Sequence, residues 1–450
     1  MDYSLLLKKY DRPVPRYTSY PTVPFWKTDE FDREVWRVNL KHAFDFSNNE
    51  KGVSLYIHLP FCESLCTYCA CNTRITKNHA VEERYIKALL NEWNIYKKIF
   101  GGRPLIRELH LGGGTPTFFI AHNLDVLLTG ILKDCDVHPD QEFSFEGHPN
   151  NTEESHLKVL YNHGFRRVSY GVQDLDEKVQ NAIHRIQPFE KVKYAVEVSR
   201  KIGYRSVNFD LIYGLPFQSR SSVEQTIEQV LSLRPERISF YSYAHVPWIK
   251  PGQRGYEDAD LPTDVRKREL YETGLNLLIE NGYLEIGMDH FGLPADALAV
   301  AQKSGTLHRN FMGYTTTHTE MLIGLGTSAI SETAYGYAQN IKAVEAYEEQ
   351  VNAGKLPIIK GHLQQVDDRL RKEVIQKFIC QGFVPRTLLN PLITHEVLVN
   401  LQEMQQEGLV DFSDKGLTMT KLGRAFTRNI CQVFDAYGEM SGQNIFSKAI

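Results

Sequence analysis

Leu55-Tyr56-Ile57-His58-Leu59-Pro60-Phe61-Cys62-Glu63-Ser64-Leu65-Cys66-Thr67-Tyr68-Cys69-Ala70-Cys71-Asn72-Thr73-Arg74 is the stretch that decides how the rest of the chain is read. Four of the seven cysteines, Cys62, Cys66, Cys69 and Cys71, crowd onto it, directly after an apolar run from Val53 to Leu59 that reads as a strand and stops at Pro60. Such crowding asks for a metal. The spacing between successive cysteines is x3, x2, x1. Structural zinc prefers ligands in separated pairs that clamp a tetrahedral ion from two directions. Closely spaced thiolates on one loop suit the separate irons of a compact [4Fe-4S] core. Cys71 follows Cys69 after a single residue and hardly reaches a fourth corner, because alternate residues of an extended chain lie ~7 Å apart. One iron is therefore expected to lack a protein ligand, and such an open position can bind a small chelating molecule, as an open zinc position does.

Outward from this loop, strand-like runs alternate with helical patterns. Runs from Val53 to Leu59, Ile106 to Leu111, Glu142 to Glu146, Arg166 to Val172, Ser206 to Tyr213 and Arg237 to His245 read as strands. Ile86, Leu89, Leu90, Trp93 and Tyr96 recur at helical spacing, and further helices are expected around 124–132, 153–161, 191–202 and 223–233. Strict alternation predicts an α/β fold of parallel strands joined by right-handed crossovers. Six strands favour an open, partial (β/α)6 barrel of the TIM-like kind over a closed eight-stranded one, with ligands at the carboxyl ends of the strands.

Three units are expected. Residues 1–50, with Pro13, Pro15, Pro21 and Pro24 among tyrosines, favour extended or turning backbone and form an N-terminal arm, either packed on the surface or reaching the mouth of the site. Residues 51–360 form the catalytic domain. Between Leu261 and Ile330 the strand rhythm gives way to short motifs, Met288-Asp289-His290-Phe291, His308 to Thr316 and Gly324-Leu325-Gly326. Residues 361–450 read as a mainly helical C-terminal domain with a hairpin from Leu409 to Met419 and a last helix. Helices with such a hairpin resemble a winged-helix module, but no basic cluster lies there, so a lid or partner surface is preferred to DNA binding.

Composition bounds the function. A hydrophobic share of 42%, a charged share of 24% and a formal net charge of −4 are ordinary for a soluble globular protein and recommend neither nucleic acid nor an anionic membrane as a partner. No run approaches the ~20 apolar residues of a membrane span. Met1-Asp2-Tyr3-Ser4 opens no signal peptide, and an odd number of cysteines, four of them clustered, fits a reducing compartment, so the expected location is cytoplasmic.

Polar residues fall where the strands are expected to end. Gly112-Gly113-Gly114-Thr115-Pro116-Thr117 closes the second, and glycines there let a ligand approach backbone amides. Glu146 is expected to end the third strand, Gln173 the fourth and Asp210 the fifth. A carboxylate within Val207 to Tyr213 is costly without partners, which ribose hydroxyls or a cation such as Arg185 could supply.

Cys62, Cys66 and Cys69 match the C-x3-C-x2-C loop of radical S-adenosylmethionine (SAM) enzymes. With Cys71, the block Arg16-Tyr17-Thr18-Ser19-Tyr20-Pro21-Thr22 and further blocks through Asn429-Ile430-Cys431, nearly the whole chain resembles the oxygen-independent coproporphyrinogen III oxidase (coproporphyrinogen dehydrogenase) family. The resemblance implies a [4Fe-4S] cluster with three cysteine ligands, whose fourth iron is chelated by SAM. It implies that Tyr56, Gly113, Glu146 and Ile330 contact that SAM, while Tyr68, Gly114, Thr115, Gln173, Arg185, Asp210 and Ala244 contact a second. Tyr68 stands where the family commonly has phenylalanine, and Ala70 where it has glycine.

The same resemblance implies an oxidoreductase of haem biosynthesis. A 5'-deoxyadenosyl radical would take a propionate hydrogen, and loss of CO2 and one electron would leave a vinyl group, twice, turning coproporphyrinogen III into protoporphyrinogen IX. The expected partners are that substrate and a reduced flavodoxin- or ferredoxin-like electron donor, and the expected state is a monomer. A haem-binding or haem-delivery protein on the same scaffold is the alternative, as is a radical-SAM haem-degrading enzyme. Arg16, Arg309 and Arg428 lie in family-like blocks and either meet substrate propionates or are ordinary surface arginines. His290 and His308 read as core or hydrogen-bonding histidines just as readily as proton handlers.

Overall fold

A computed structural model describes residues 3–438 and Phe446. Met1 and Asp2 of the expected arm, and 439–445 and 447–450 of the expected C-terminal domain, lie outside the described residues. In chain order, the elements that position the site begin with helices α1 (Tyr3–Tyr10) and α2 (Arg33–Ser47), then β1 (Val53–Leu59), α3 (Val81–Phe100), β2 (Leu105–Gly113), α4 (Ala121–Leu132), β3 (Asp136–Gly147), α5 (Glu154–Asn162) and β4 (Phe165–Gln173). They continue with α6 (Phe189–Ile202), β5 (Ser206–Tyr213), α7 (Arg220–Leu233), β6 (Arg237–Ser242), α8 (Asp264–Glu280), β7 (Leu284–Gly287), β8 (His290–Gly292), β9 (Met321–Leu325), β10 (Ile330–Thr333), β11 (Gly336–Asn340), α9 (Val344–Asn352), β12 (Ile358–Leu363) and α10 (Val366–Gln381).

Twelve strands form one sheet in the order β12-β11-β10-β9-β1-β2-β3-β4-β5-β6-β8-β7. The run from β9 to β6 is parallel throughout, and both flanks are antiparallel. The expected six strands form the body of the open barrel, with one addition. A seventh parallel strand, β9, pairs with β1, bringing Gly324 opposite Tyr56. Gly324 within it and Gly326 just after it interrupt the apolar run that would have marked it. A side chain at Gly324 would collide with the backbone of Ile330.

Alternation along the strands sorts the side chains. Leu55, Ile57, Leu109, Leu111, Phe143, Phe145, Val168, Val207, Phe209, Ile238 and Phe240 are buried against the surrounding helices in the main core. The opposite faces point inward and are polar: Glu108, His110, Glu142, Ser144, Glu146, Arg167, Ser169, Asn208, Asp210, Arg237 and Ser239 line one interior cavity. Strand registers stack these groups, Ser54 beside Glu108 beside Glu142, and Glu146 beside Ser169 beside Asn208. Ser54 Oγ donates to Glu108 at 2.5 Å, and Arg167 meets Glu142 at 2.8 Å.

Extended and turning backbone lies between α1 and α2, with Tyr17 at φ +48° and a short turn at Val23–Phe25, but helices flank it on both sides. The Asp32 carboxylate caps α2 by accepting from the Glu34 and Val35 amides at 2.9 and 3.0 Å, and Trp36, Leu40 and Phe44 then pack on the main core. Apolar burial outweighs the turn-favouring composition there. Leu6, Tyr10, Val14, Tyr17 and Tyr20 belong instead to a second core with Val374, Phe378, Leu401 and Phe426 of the C-terminal region. Tyr10 donates to Glu407 at 2.5 Å, and Asn429 donates to the Tyr10 carbonyl at 2.9 Å. The expected hairpin is present, Val410–Phe412 against Gly416–Met419, with Phe383–Pro385 as a third strand. No helix among the described residues is long and apolar enough to cross a membrane.

Glu92 on α3 locks the additional strands to the barrel. It is fully buried and accepts from the Gly326 amide at 2.8 Å, Asn340 Nδ2 at 2.7 Å and the Tyr347 hydroxyl at 2.6 Å. Replacing Glu92 by Ala leaves the buried Gly326 amide and Tyr347 hydroxyl without their acceptor, each worth ~1–3 kcal/mol, while Asn340 keeps the Gly326 carbonyl, and should lower the thermal midpoint clearly. Burial pushes the Glu92 carboxyl up to about 7 despite those donors. Because this folded value lies above the unfolded one, the group's stabilisation is complete at low pH and falls as pH rises through 7. The stability gap between the wild type and Glu92→Gln, followed by thermal denaturation from pH 5 to 8, should therefore shift against the wild type as pH rises.

Candidate functional site

β1 delivers the cysteine loop to the carboxyl end of the barrel, and backbone hydrogen bonds close the loop on itself. The Arg74 amide donates to Pro60 O at 2.8 Å and the Thr76 amide to Cys62 O at 2.9 Å, so that Arg74–Ile75 runs parallel to Phe61–Cys62. Inside the loop the Cys69 amide donates to Cys66 O at 3.1 Å, and the Thr67 amide reaches Ile183 O at 3.0 Å. Cys62, Cys66, Cys69 and Cys71 all line a cavity of about 700 Å³; the first three are half-buried and Cys71 is the most exposed. The Cys62 thiol lies 3.3 Å from Thr115 Oγ1. The neighbouring Cys71, with burial opposing, holds the Cys69 thiol below its ordinary range.

The same cavity is lined by Tyr68, Gly113, Gly114, Thr115, Glu146, Gln173, Arg185, Asp210 and Ala244. Nine of the eleven expected cofactor residues thus meet the cysteines, although they come from seven different stretches of chain. Tyr56 and Ile330 do not line it. Tyr56 lies one layer below, its hydroxyl 3.0 Å from His58 Nδ1 and its ring stacked on His110 at 6.0 Å between centroids. Ile330 is buried with Trp26 and Tyr337, beside Gly324.

Local geometry explains the strand ends. Gly113 adopts φ +115°, and a Cβ there would meet the His58 ring at 2.7 Å; one at Gly114 would meet the Pro60 backbone at 2.7 Å. The glycine run is therefore pressed against the root of the cysteine loop. Its Gly113 amide donates to Glu146 Oε2 at 3.1 Å. Burial pushes the Glu146 carboxyl up, but His110, the Gly113 amide and His58 outweigh it and hold the group below its ordinary range. Gln173 ends β4 with φ +66°, a left-handed conformation that a non-glycine residue keeps only where its surroundings enforce it.

Two expectations about Asp210 are corrected. It lies within β5 rather than at its end, facing the barrel interior opposite Ser239. Its cation partner is not Arg185. Ser169 Oγ donates to Asp210 at 2.9 Å, and burial, with the charge of Glu146, pushes the carboxyl up to about 6. Arg185 instead donates to Gly171 O at 2.5 Å and to Cys66 Sγ at 3.5 Å, while its Nε has no hydrogen-bond partner among the described residues.

Several positioning residues carry no local signal. Gln253, fully buried, donates to the carbonyls of both Tyr68 and Ala244 at 3.2 Å and accepts from the Val246 amide at 2.6 Å, tying the cysteine loop to the end of β6. Lys250 reaches Cys71 O at 3.3 Å. His58 contacts Asn72 O at 2.9 Å, and burial lowers its basicity, so a neutral ring with a proton on Nε2 bridges Tyr56 and the far side of the loop. His308 stacks on His318 at 4.1 Å, away from the cysteines.

The donor set fits an iron-sulfur cluster with a nucleotide beside it. Three half-buried thiols share the cavity wall with a glycine run that no side chain could replace and with an orphaned guanidinium N–H. Thiols gathered on one loop in this way suit a multi-iron core. A second cavity of about 250 Å³ adjoins the first, sharing Arg16, Tyr241 and Ser242 with it, so the arm does reach the site.

The Radical SAM superfamily model matches residues 56–230. An oxygen-independent coproporphyrinogen III oxidase from Helicobacter pylori (strain J99) is 38% identical over 456 residues, covering 98% of each chain. The protein of that name from Escherichia coli (strain K12) is 38% identical over 445 residues, covering 97% of this chain and 96% of its own. The solved structure of the Escherichia coli coproporphyrinogen III oxidase HemN, described as a radical SAM enzyme, superposes with a TM-score of 0.90 at 37% identity, over 97% of this chain and 99% of that one. End-to-end likeness of this kind, on a barrel whose cysteine loop and strand ends share one cavity, places the chain in the oxygen-independent coproporphyrinogen III oxidase family of radical SAM enzymes.

Proposed function

We propose that this chain is a radical SAM oxidoreductase that converts coproporphyrinogen III to protoporphyrinogen IX without oxygen, by oxidative decarboxylation of two propionate side chains to vinyl groups. The observation that carries this reading is the full-length match to enzymes of that name, with the cysteines and strand-end groups on one cavity wall. A bound [4Fe-4S] cluster with SAM supplies the one-electron cleavage and radical hydrogen abstraction that no side-chain base can perform.

The chain's own residues bind, orient and shield. Cys62, Cys66 and Cys69 are the three cluster ligands, and Cys71 supports Cys69. Glu146, held charged, accepts from the ammonium of the cluster-bound SAM, beside the open backbone of Gly113. Tyr56 supports this corner from below: a Cβ at Gly112 would meet its ring at 3.0 Å and the Glu146 carboxyl at 3.1 Å. Ile330 belongs to the same contact set. Tyr68, Gly114, Thr115, Gln173, Arg185, Asp210 and Ala244 hold a second SAM, with Asp210 facing its hydroxyls. Arg185 compensates thiolate charge where water is excluded. We further place the protein in the cytoplasm as a monomer with a reduced flavodoxin- or ferredoxin-like donor. Residues 51–360 serve as the catalytic domain, 1–50 as its arm and 361–450 as a mainly helical cover.

Anaerobically reduced protein given SAM and coproporphyrinogen III should release 5'-deoxyadenosine and CO2 and form vinyl products. Tight haem binding with no turnover would overturn the enzymatic reading in favour of haem delivery. Separately, Cys62→Ala, Cys66→Ala and Cys69→Ala should each lose the cluster, whereas Cys71→Ala should keep its iron and lose turnover. Iron content and visible absorbance of the four variants decide this, and equal iron loss in all four contradicts a three-cysteine site.

A further inference from the structure

The second cavity is lined by six cationic side chains, Arg16, Lys267, Arg268, Arg309, Arg424 and Arg428, against one carboxylate, Asp289. Most of these charges are engaged elsewhere. Arg268 meets Glu272 at 2.9 Å, Arg424 meets Glu285 at 3.3 Å, and Lys267 donates to Tyr243 O at 2.7 Å. Arg428 donates to the carbonyls of Val14 and Pro15 and pins the arm. Arg16 pairs with Asp289 at 3.2 Å, with both side chains partly exposed.

Arg309 is different. It is buried, on the short strand His308–Asn310, with the Tyr314 ring 4.7 Å from its guanidinium carbon. Its Nε and Nη1 have no hydrogen-bond partner among the described residues, and neither has Nδ1 of the neighbouring His290. Burial, with the charges of Arg309, Arg237 and Arg16 adding, drives His290 down to about 3, so its ring is neutral and contributes no competing charge. A buried guanidinium with N–H groups left without an acceptor carries an unmet desolvation cost. An arriving anion removes that cost. A volume of about 250 Å³ lies below the ~300–1,000 Å³ of whole-ligand pockets, and suits a side arm of a larger molecule whose body lies toward the cysteine cavity.

We infer that Arg309 is the fixed anchor for a propionate carboxylate of the substrate, with Arg16 as a secondary contact where the two cavities meet. This rests on the porphyrinogen reading above and names the residue that selects for carboxylate-bearing rings. Arg309 is a positioning residue: gripping one propionate fixes where the others lie relative to the cysteine cavity.

The test uses reconstituted, full-length protein without reductant or added SAM, so that binding is read without turnover. Coproporphyrin III, the aromatic form with the same carboxylates, and its tetramethyl ester are titrated by fluorescence. The wild type should bind the acid far more tightly than the ester. Arg309→Gln should weaken acid binding roughly 10- to 100-fold, Arg309→Lys should restore part of it as a point charge without the planar fork, and Arg16→Gln should cost less than Arg309→Gln. Equal acid affinity in the wild type and an Arg309→Gln protein of unchanged thermal midpoint overturns the anchor. So does equal binding of acid and ester by the wild type, which needs no variant to fold. If vinyl product forms while Arg309→Gln binds normally, the anchor fails and the enzymatic reading stands. If the acid binds through Arg309 but no product forms, the anchor stands and the enzymatic reading fails.

Discussion

Everything in this structure depends on the alternation of side chains along the parallel strands. A parallel sheet covered by helices normally buries apolar residues on both faces, yet here the inner face carries carboxylates, imidazoles, guanidinium groups and hydroxyls. Such groups are tolerable only because they satisfy one another across strand registers, as Glu142 does with Arg167 and Asp210 with Ser169. The outer face supplies the hydrophobic burial that holds the barrel together. The inner face is thereby released for chemistry, and its upper layer becomes the wall of the cysteine cavity.

A second dependence links that wall to the loop. Thiolates gathered in a poorly solvated cavity need positive charge and fixed backbone, and both are brought in from a distance. Arg185 faces Cys66 from beyond β4, while Gln253 fastens Tyr68 to Ala244. Neither residue stands in a recognisable motif. The loop's own hydrogen bonds set its shape, and these two side chains set where it sits over the barrel.

The parts legible in the sequence are those whose determinants are local. The cysteine spacing, the six strand runs with their helices, and the hairpin before Met419 are written in contiguous residues, and the structure contains each of them. β9 escaped because Gly324 and Gly326 break its apolar run for reasons of close backbone approach to its neighbours. The partners of Asp210 escaped because Ser169 belongs to another strand, and Arg185, the obvious cation, was already committed to Gly171 and Cys66. Glu92 carries no local signal on its helix; its role comes from three donors, one just past β9, one in β11 and one in α9, that close around it. Nine expected cofactor residues share one cavity because the carboxyl ends of parallel strands bring distant positions together.

The pairing of the first helix with the last hundred residues has a consequence for biogenesis. Leu6, Tyr10 and Val14 find their apolar partners only when Val374, Leu401 and Phe426 have been synthesised. A nascent chain therefore completes its barrel before it completes its cover, since domains tend to fold as they emerge. During that interval the apolar faces of Leu6, Tyr10 and Val14 stand without their partners, and the smaller cavity still lacks the wall that Arg424, Thr427 and Arg428 give it.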